Sequence, residues 1–338
     1  MRTIIKTTGI IALLIVVTTV ALSAHAWRWL HSPTAEVTAT NFEVIRGESV
    51  SSIAHHLQQT GWIQHPRIWA LWARYQQLGG KIKAGEYALT PGLTPQQLLQ
   101  MLTSGNVILR SLTIVEGSTY AELRRLIAQR DDIKHTLNSV SDAELMQILG
   151  APDQHPEAQF FPDTYQFAKG ISDIDILRIA QQRMQHELTT AWAARAPDLL
   201  LHSPYEALIL ASIIEKETAL ASERPMIAGV FIERLSRGML LQTDPTVIYG
   251  LGDAYDGNLH KVDLLRDTPY NTYTRAGLTP TPICLPGAAA LRAAVNPQRT
   301  GALYFVATGK GDGSHYFSHD LNEHNSAVQR YLATLRKH

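Results

Sequence analysis

Hydrophobic positions along the chain fall into three regimes. Residues 7–26 carry no charge and centre on Ile10-Ile11-Ala12-Leu13-Leu14-Ile15-Val16-Val17, about the twenty residues a helix needs to cross a bilayer. Over residues 42–106, short strand-like and helix-like patterns alternate. Phe42-Glu43-Val44-Ile45 alternates, Arg46-Gly47-Glu48-Ser49 turns, and Val50 onward has helical spacing behind Ser49 as N-cap. Ala84 to Leu89 then reads as a strand, and Thr94-Pro95-Gln96-Gln97 opens a capped helix. From residue 107 the elements lengthen. A strand is predicted over 109–115, helices from Thr119, from Ser141 and over 175–195, and another restarting at Glu223-Arg224-Pro225. A hairpin joins 303–307 to 315–317 across a Gly-rich turn, and a last helix starts at His324-Asn325. The helix over 175–195 is expected to cover a sheet.

Arg2 and Lys6 precede the apolar run, so the positive-inside rule keeps residues 1–6 cytoplasmic and exports the remainder. Ala24-His25-Ala26 also fits the small-x-small pattern of a cleavable signal peptide, and either reading exports the rest of the chain. The full-length span, with Trp27 and Trp29 at the outer interface, favours an uncleaved anchor. Residues 27–41 form a polar, turn-prone linker expected to lift the folded part off the membrane. The strand, Gly-turn and helix that open 42–106 resemble a LysM peptidoglycan-binding module.

One stretch of the third regime breaks the apolar pattern informatively. Ser203-Pro204-Tyr205-Glu206 reads as a capping box, starting a helix at Pro204 whose stripe is Leu208, Leu210, Ala211, Ile213 and Ile214. At about 100° per residue, Glu215 and Glu217 flank that stripe on opposite sides. A carboxyl against apolar neighbours loses hydration, its pKa rises, and it can serve as a general acid near neutrality. The plainer alternative pairs either acid with Lys216 or Arg224. Downstream, Gln242-Thr243-Asp244-Pro245-Thr246 reads as turn chemistry begun by Asp244. The nearby Tyr249, Tyr270, Asn271 and Tyr273 add the aromatic and amide groups that a carbohydrate cleft needs. Phe160-Phe161-Pro162-Asp163-Thr164-Tyr165 has a similar make-up, with its phenylalanines equally suited to a core.

Length and charge narrow the classes. At 338 residues the chain suits about two domains. Thirty basic and thirty acidic side chains cancel, so no global field favours nucleic acid. The 14 His are scattered and Cys284 is alone, so no metal, no cofactor and no internal disulfide are expected.

The runs Ser212-Ile213-Ile214-Glu215-Lys216-Glu217-Thr218, Leu241 to Gly250 and Tyr270-Asn271-Thr272-Tyr273 together resemble the YceG-like family of endolytic murein transglycosylases. The resemblance implies a lyase cutting the β-1,4 bond between MurNAc and GlcNAc in nascent glycan strands, leaving 1,6-anhydroMurNAc ends and terminating elongation. It places the catalytic acid on Glu217, with Glu215 the neighbour most easily confused with it. Substrate contacts fall on Gln242, Asp244, Asn271, Asp163 and Tyr165. It further implies peptidoglycan glycan strands and peptidoglycan synthase complexes as partners, an inner-membrane single-pass anchor over 7–26, and a periplasmic catalytic part.

The fold expected is α+β: a transmembrane helix, a small LysM-like domain over 42–106, and a larger mixed α/β catalytic domain over 107–338. Three alternatives stay open on the residues alone. They are a non-catalytic membrane-anchored peptidoglycan-binding protein, a peptidoglycan hydrolase pairing Glu217 with Glu215, Glu223 or Asp244, and a pyridoxal-phosphate lyase, which the export segment opposes.

Overall fold

The structure, a computed structural model, describes residues 2–34 and 38–336. Residues 35–37 of the expected linker lie outside the described residues. Two compact units emerge, Met1–Arg110 with Gln166–Gly170, and Ser111–Tyr165 with Ile171–His338.

The first unit begins with α1 (Arg2–Leu30), whose stretch Gly9–Leu30 is long and apolar enough to cross a membrane. The helix does not stop where the apolar run stops. Trp29 packs on the core of the unit and Leu30 is buried, so the last turn of α1 belongs to the folded body. After it come β1 (Thr40–Val44), α2 (Val50–Gln59), α3 (Pro66–Tyr75), β2 (Gly85–Leu89), α4 (Pro95–Ser104) and the start of β3 (Leu109–Thr113). β1 and β2 pair antiparallel, from Thr40 opposite Leu89 to Val44 opposite Gly85. Alternation turns Tyr87 and Leu89 inward onto Trp62 and Trp69, while Ala88 faces out. Each buried ring with a polar atom satisfies it: Trp62 Nε1 donates to Thr40 Oγ1 at 3.1 Å, Trp69 Nε1 to the Pro95 carbonyl at 2.9 Å, and Tyr87 to the Leu102 carbonyl at 2.9 Å. Gly85 has φ +141, and a Cβ there would stand 2.6 Å from Val107, so only glycine fits.

The second unit contains α5 (Tyr120–Ala128), β4 (Ile133–Lys134), α6 (Asp142–Ile148), β5 (Thr164–Ala168), β6 (Ile171–Ser172) and α7 (Asp173–Ala193), with β3 and β5 carrying the chain across the division. It continues through α8 (Pro204–Glu217), α9 (Arg224–Ser236), α10 (Asp244–Leu251), α11 (Lys261–Leu265) and α12 (Ala288–Val295). It closes with β7 (Tyr304–Ala307), β8 (His315–Ser318) and α13 (Leu321–Leu335). Capping boxes at Thr119/Glu122 and Ser141/Glu144 start α5 and α6 as their sequences require. Ser203 caps α8 by accepting from Glu206 N, but the Glu206 carboxylate accepts from His202 N instead of closing the box on Ser203.

The chain is a mixed α+β protein, yet no sheet lies under α7. Strands of the described residues occur only in pairs, and α7 packs instead on α8 and α12. The reason is legible in α8, which is buried at every position from Ala207 to Ile214. A helix apolar on all sides must be surrounded, and here other helices surround it. Two further expectations shift. Asp244 and Pro245 open α10 instead of a turn, and α13 starts at Leu321 because Asp320 Oδ1 accepts from Asn322 N and Glu323 N, each at 2.9 Å.

Candidate functional site

The end of α8 separates its two acids sharply. Glu215 turns into a structural cluster: its Oε1 lies 2.6 Å from Arg224 Nη2, and its Oε2 accepts from Gly287 N at 2.9 Å. Both side chains of the Glu215–Arg224 pair are nearly inaccessible. Burial raises the pKa of Glu215, while the Gly287 N–H and the Arg224 charge favour its ionised form. A Cβ at Gly287 would meet the Glu116 carboxylate at 1.8 Å, so a larger residue there would have to displace that exposed side chain. The pairing alternative weighed for these acids is therefore realised by Glu215 and Arg224.

Glu217 faces elsewhere. It lines a cavity of about 600 Å³ with Arg234, Gln242, Asp244, Tyr273, Tyr304 and Phe305, and Leu321, His324, Asn325 and Val328 of α13 complete the lining. Burial pushes its pKa up to about 7, helped by the negative charge of Asp244 and opposed by the Thr243 hydroxyl, which donates to Glu217 Oε1, and by the charges of His315 and Arg234. A carboxyl poised there can hold a proton at neutral pH and release it.

The wall opposite α8 is two stitched segments. Gln242 N donates to the Thr272 carbonyl at 3.1 Å and Thr243 N to Thr272 Oγ1 at 3.1 Å, while Thr246 Oγ1 reaches the Thr243 carbonyl at 2.7 Å. Thr243, Thr246 and Thr272 are all buried, so the hydroxyl on Glu217 is held by a packed frame. Gln242 takes φ +52, a left-handed conformation that costs energy in a non-glycine residue and marks a site the surroundings over-determine. Asp244 Oδ1 accepts from the Tyr273 hydroxyl at 2.5 Å.

Asn271 is fully buried and does not line the cavity. Its Nδ2 donates to the carbonyls of Asp263, Leu264 and Arg266 at 3.2, 3.0 and 2.7 Å, and its Oδ1 accepts from Tyr273 N at 2.8 Å. It shapes the loop that presents Tyr273. Asp163 and Tyr165 are also away from the cavity lining: Asp163 is exposed, and the Tyr165 hydroxyl donates to the Phe161 carbonyl at 2.6 Å. Of the residues singled out in the sequence, Glu217, Gln242, Asp244 and Tyr273 come together.

Several lining residues gave no local signal. Arg234 is buried, donating to the carbonyls of Leu303, Leu240 and Leu241 at 2.7, 3.1 and 3.0 Å and to Gln242 Oε1 at 3.3 Å. Its guanidinium sits 5.0 Å from the Tyr304 ring centre. His324 stacks on Tyr304 at 5.1 Å, and burial with the nearby Arg234 charge lowers its pKa, keeping it neutral. Below the cavity, His315 Nδ1 lies 2.7 Å from Glu223 Oε2. Cys284, the lone thiol of the chain, is buried, and its Sγ donates to the Ser212 carbonyl at 3.2 Å. Among the described residues no cluster of His, Cys, Asp and Glu could hold a metal ion.

Comparison with known proteins bears on what such a cavity serves. The model of the YceG-like family matches residues 42–330. A protein of Bacillus subtilis (strain 168) named endolytic murein transglycosylase is 32% identical over 314 residues, covering 88% of this chain and 86% of that one. Its namesake in Streptococcus pneumoniae serotype 2 (strain D39) is 27% identical over 319 residues, covering 85% of this chain and 57% of the longer pneumococcal protein. A solved 2.6 Å crystal structure of a YceG-like protein from Listeria monocytogenes is 30% identical, with a TM-score of 0.53 over 85% of this chain and 98% of that one.

Proposed function

This chain belongs to the YceG-like family, and from that membership and the buried carboxyl closing α8 we propose that it is an endolytic peptidoglycan lytic transglycosylase with Glu217 as its acid. The observation that carries the reading is a single carboxyl, raised to about pKa 7 by burial, opening on a cavity large enough for sugar rings. Protonated, Glu217 gives its proton to the oxygen joining MurNAc to GlcNAc. As carboxylate it then takes the proton of the muramyl C6 hydroxyl as that oxygen attacks C1, closing the 1,6-anhydro ring. The nucleophile is part of the substrate, so no water has to be positioned and effective concentration is high.

The other acids support a one-acid scheme. Glu215 is committed to Arg224 and Gly287 N, and Glu223 to His315. Asp244, bonded by Tyr273, stands at the cavity as a negative charge that favours the protonated form of Glu217 and faces the positive charge developing at C1. Gln242 offers its amide to the hydroxyl and acetamido groups of the glycan. In this reading α1 anchors the protein in the cytoplasmic membrane with residues 1–6 inside, and the LysM-like small unit binds glycan beside peptidoglycan synthases. Cutting nascent strands there would set their length.

Asp244 in the same cavity also defines the rival reading, a hydrolase with two carboxylates. Mass spectrometry of peptidoglycan digested by the detergent-solubilised full chain, with Glu217→Gln alongside, separates them. Internal fragments ending in 1,6-anhydroMurNAc, absent with the variant, are expected. Reducing ends would mean hydrolysis assisted by Asp244, and undiminished cleavage by Glu217→Gln would remove that residue from the mechanism.

A further inference from the structure

The face of α3 left uncovered by the core of the first unit is unusual for a surface in water. Leu71 is 63% exposed and Tyr75 79% exposed, with half-buried Trp72 between them. Arg67 and Arg74, both exposed, lie along the same face at helical spacing. No acidic residue occurs anywhere from Ser49 to Gly85, while Arg67, Arg74, Lys81 and Lys83 all do. An apolar, aromatic strip edged by cations with no acid among them is the composition of a helix that lies in a membrane interface.

Position supports composition. Because Trp29 packs on the core, Leu30 is buried, and Thr34 N donates to the Leu93 carbonyl at 2.9 Å, the exit of α1 is fixed to the unit instead of being a free tether. Trp27, itself 57% exposed, meets Trp72 edge to face with ring centres 5.8 Å apart, and Trp72 stacks on Tyr75 at 5.7 Å. A row of three aromatic rings thus links the outer end of the apolar span Gly9–Leu30 to α3. At a rise of about 1.5 Å per residue Trp27 lies roughly one turn from the end of that span, the depth at which aromatic belts sit.

We propose that α3 is a second membrane contact: its Leu71–Trp72–Tyr75 face rests at the headgroup–acyl boundary of the bilayer that α1 crosses, with Arg67 and Arg74 on the phosphates of anionic lipids. The inference rests on the anchor reading of α1 and goes beyond it. The unit lies on the membrane in one orientation and does not hang from a linker.

The test uses the full chain in nanodiscs containing phosphatidylglycerol. The native thiol, Cys284, is buried, so a cysteine placed at an exposed position takes a thiol-reactive fluorophore selectively. Labels are placed at Leu71→Cys on the proposed face, at Thr18→Cys within the span, and at Ala88→Cys on the side of β2 turned away from the helices, and each is quenched by spin-labelled lipid. Strong quenching at 18, several-fold more quenching at 71 than at 88, and a several-fold loss at 71 on adding Arg67→Glu with Arg74→Glu are expected. Quenching at 71 no greater than at 88, with 18 still quenched, overturns the inference, leaves the anchor standing and leaves the face to a protein partner. An unquenched label at 18 overturns the anchor itself, and α3 docking with it. Quenching at 71 indifferent to the arginine reversals overturns the role given to anionic headgroups.

Discussion

The two ends of α10 make an instructive pair. At its start, burial raises Glu217 to about pKa 7 beside Thr243 and Asp244. Near its finish, burial raises Glu157 to about 7 as well, with Glu157 Oε1 accepting from Tyr120 N at 2.9 Å and its Oε2 accepting from the Tyr249 hydroxyl at 3.1 Å. By proton affinity the two are alike. They differ in access: Glu217 opens on the cavity, whereas Glu157 is 3% exposed and both its oxygens are occupied by the protein. A perturbed pKa therefore reports desolvation, and only a path for substrate turns it into chemistry.

Substitution at the two carboxyls tests that contrast most severely. Glu217→Gln should lower glycan cleavage by about a hundred- to ten-thousand-fold, the usual contribution of a general acid, and Glu157→Gln should leave it within a few-fold. Comparable losses at both, in folded variants, would break the comparison. In the same assay the rate should fall as pH rises through about 7, where Glu217 gives up its proton.

Stability should move the opposite way. Both carboxyls have folded pKa values near 7, raised from an ordinary 4.5. Each therefore contributes stability that is fully present below about pH 4.5 and is lost as pH rises through about 7. Glu217→Gln removes that loss, so denaturant unfolding should find the variant up to about 3 kcal/mol more stable than its parent at pH 8 and no different at pH 4. A constant difference across pH would mean that Glu217 is not desolvated in the folded protein.

Smaller effects sharpen the picture. Glu157→Ala strands the Tyr120 N–H and the Tyr249 hydroxyl, which should cost about 1–3 kcal/mol of stability while cleavage persists. Tyr273→Phe deletes one hydrogen bond to Asp244. It should reduce the rate by at most about a hundredfold, since a hydrogen bond to a charged group is worth about 1.5–3 kcal/mol, and should shift the pH profile of Glu217 slightly.

Much of the local architecture was readable from the chain. Ser203 and Pro204 start α8, Thr119 and Ser141 start α5 and α6, and Gly238 ends α9 with φ +64, because caps and left-handed stops depend on a few adjacent residues. The divergence of Glu215 from Glu217 was also readable, since two residues along a helix turn to different sides. What could not be read was the far wall. Arg234 looks like any helical arginine until the carbonyls of Leu240, Leu241 and Leu303 converge on it. Tyr304 and His324 belong to a tail whose hairpin and helix are locally ordinary and acquire meaning only by packing over α9. Asn271 read as a groove contact because an amide near tyrosines suits a sugar. It is spent on three backbone carbonyls, a use that no local pattern announces. The all-helical surroundings of α8 escaped because a short apolar run does not say whether a sheet or other helices enclose it.

That enclosure has a consequence for how the protein should age under heat. Residues 207–214 of α8 lie wholly within the core, so their amides can exchange with solvent only when the second unit opens globally, and they should be the slowest of that unit to exchange. Glu217 ends that same helix. Its placement is thus slaved to the last part of the unit to come apart, and warming should leave the turnover machinery aligned until the cooperative transition takes helix and acid together.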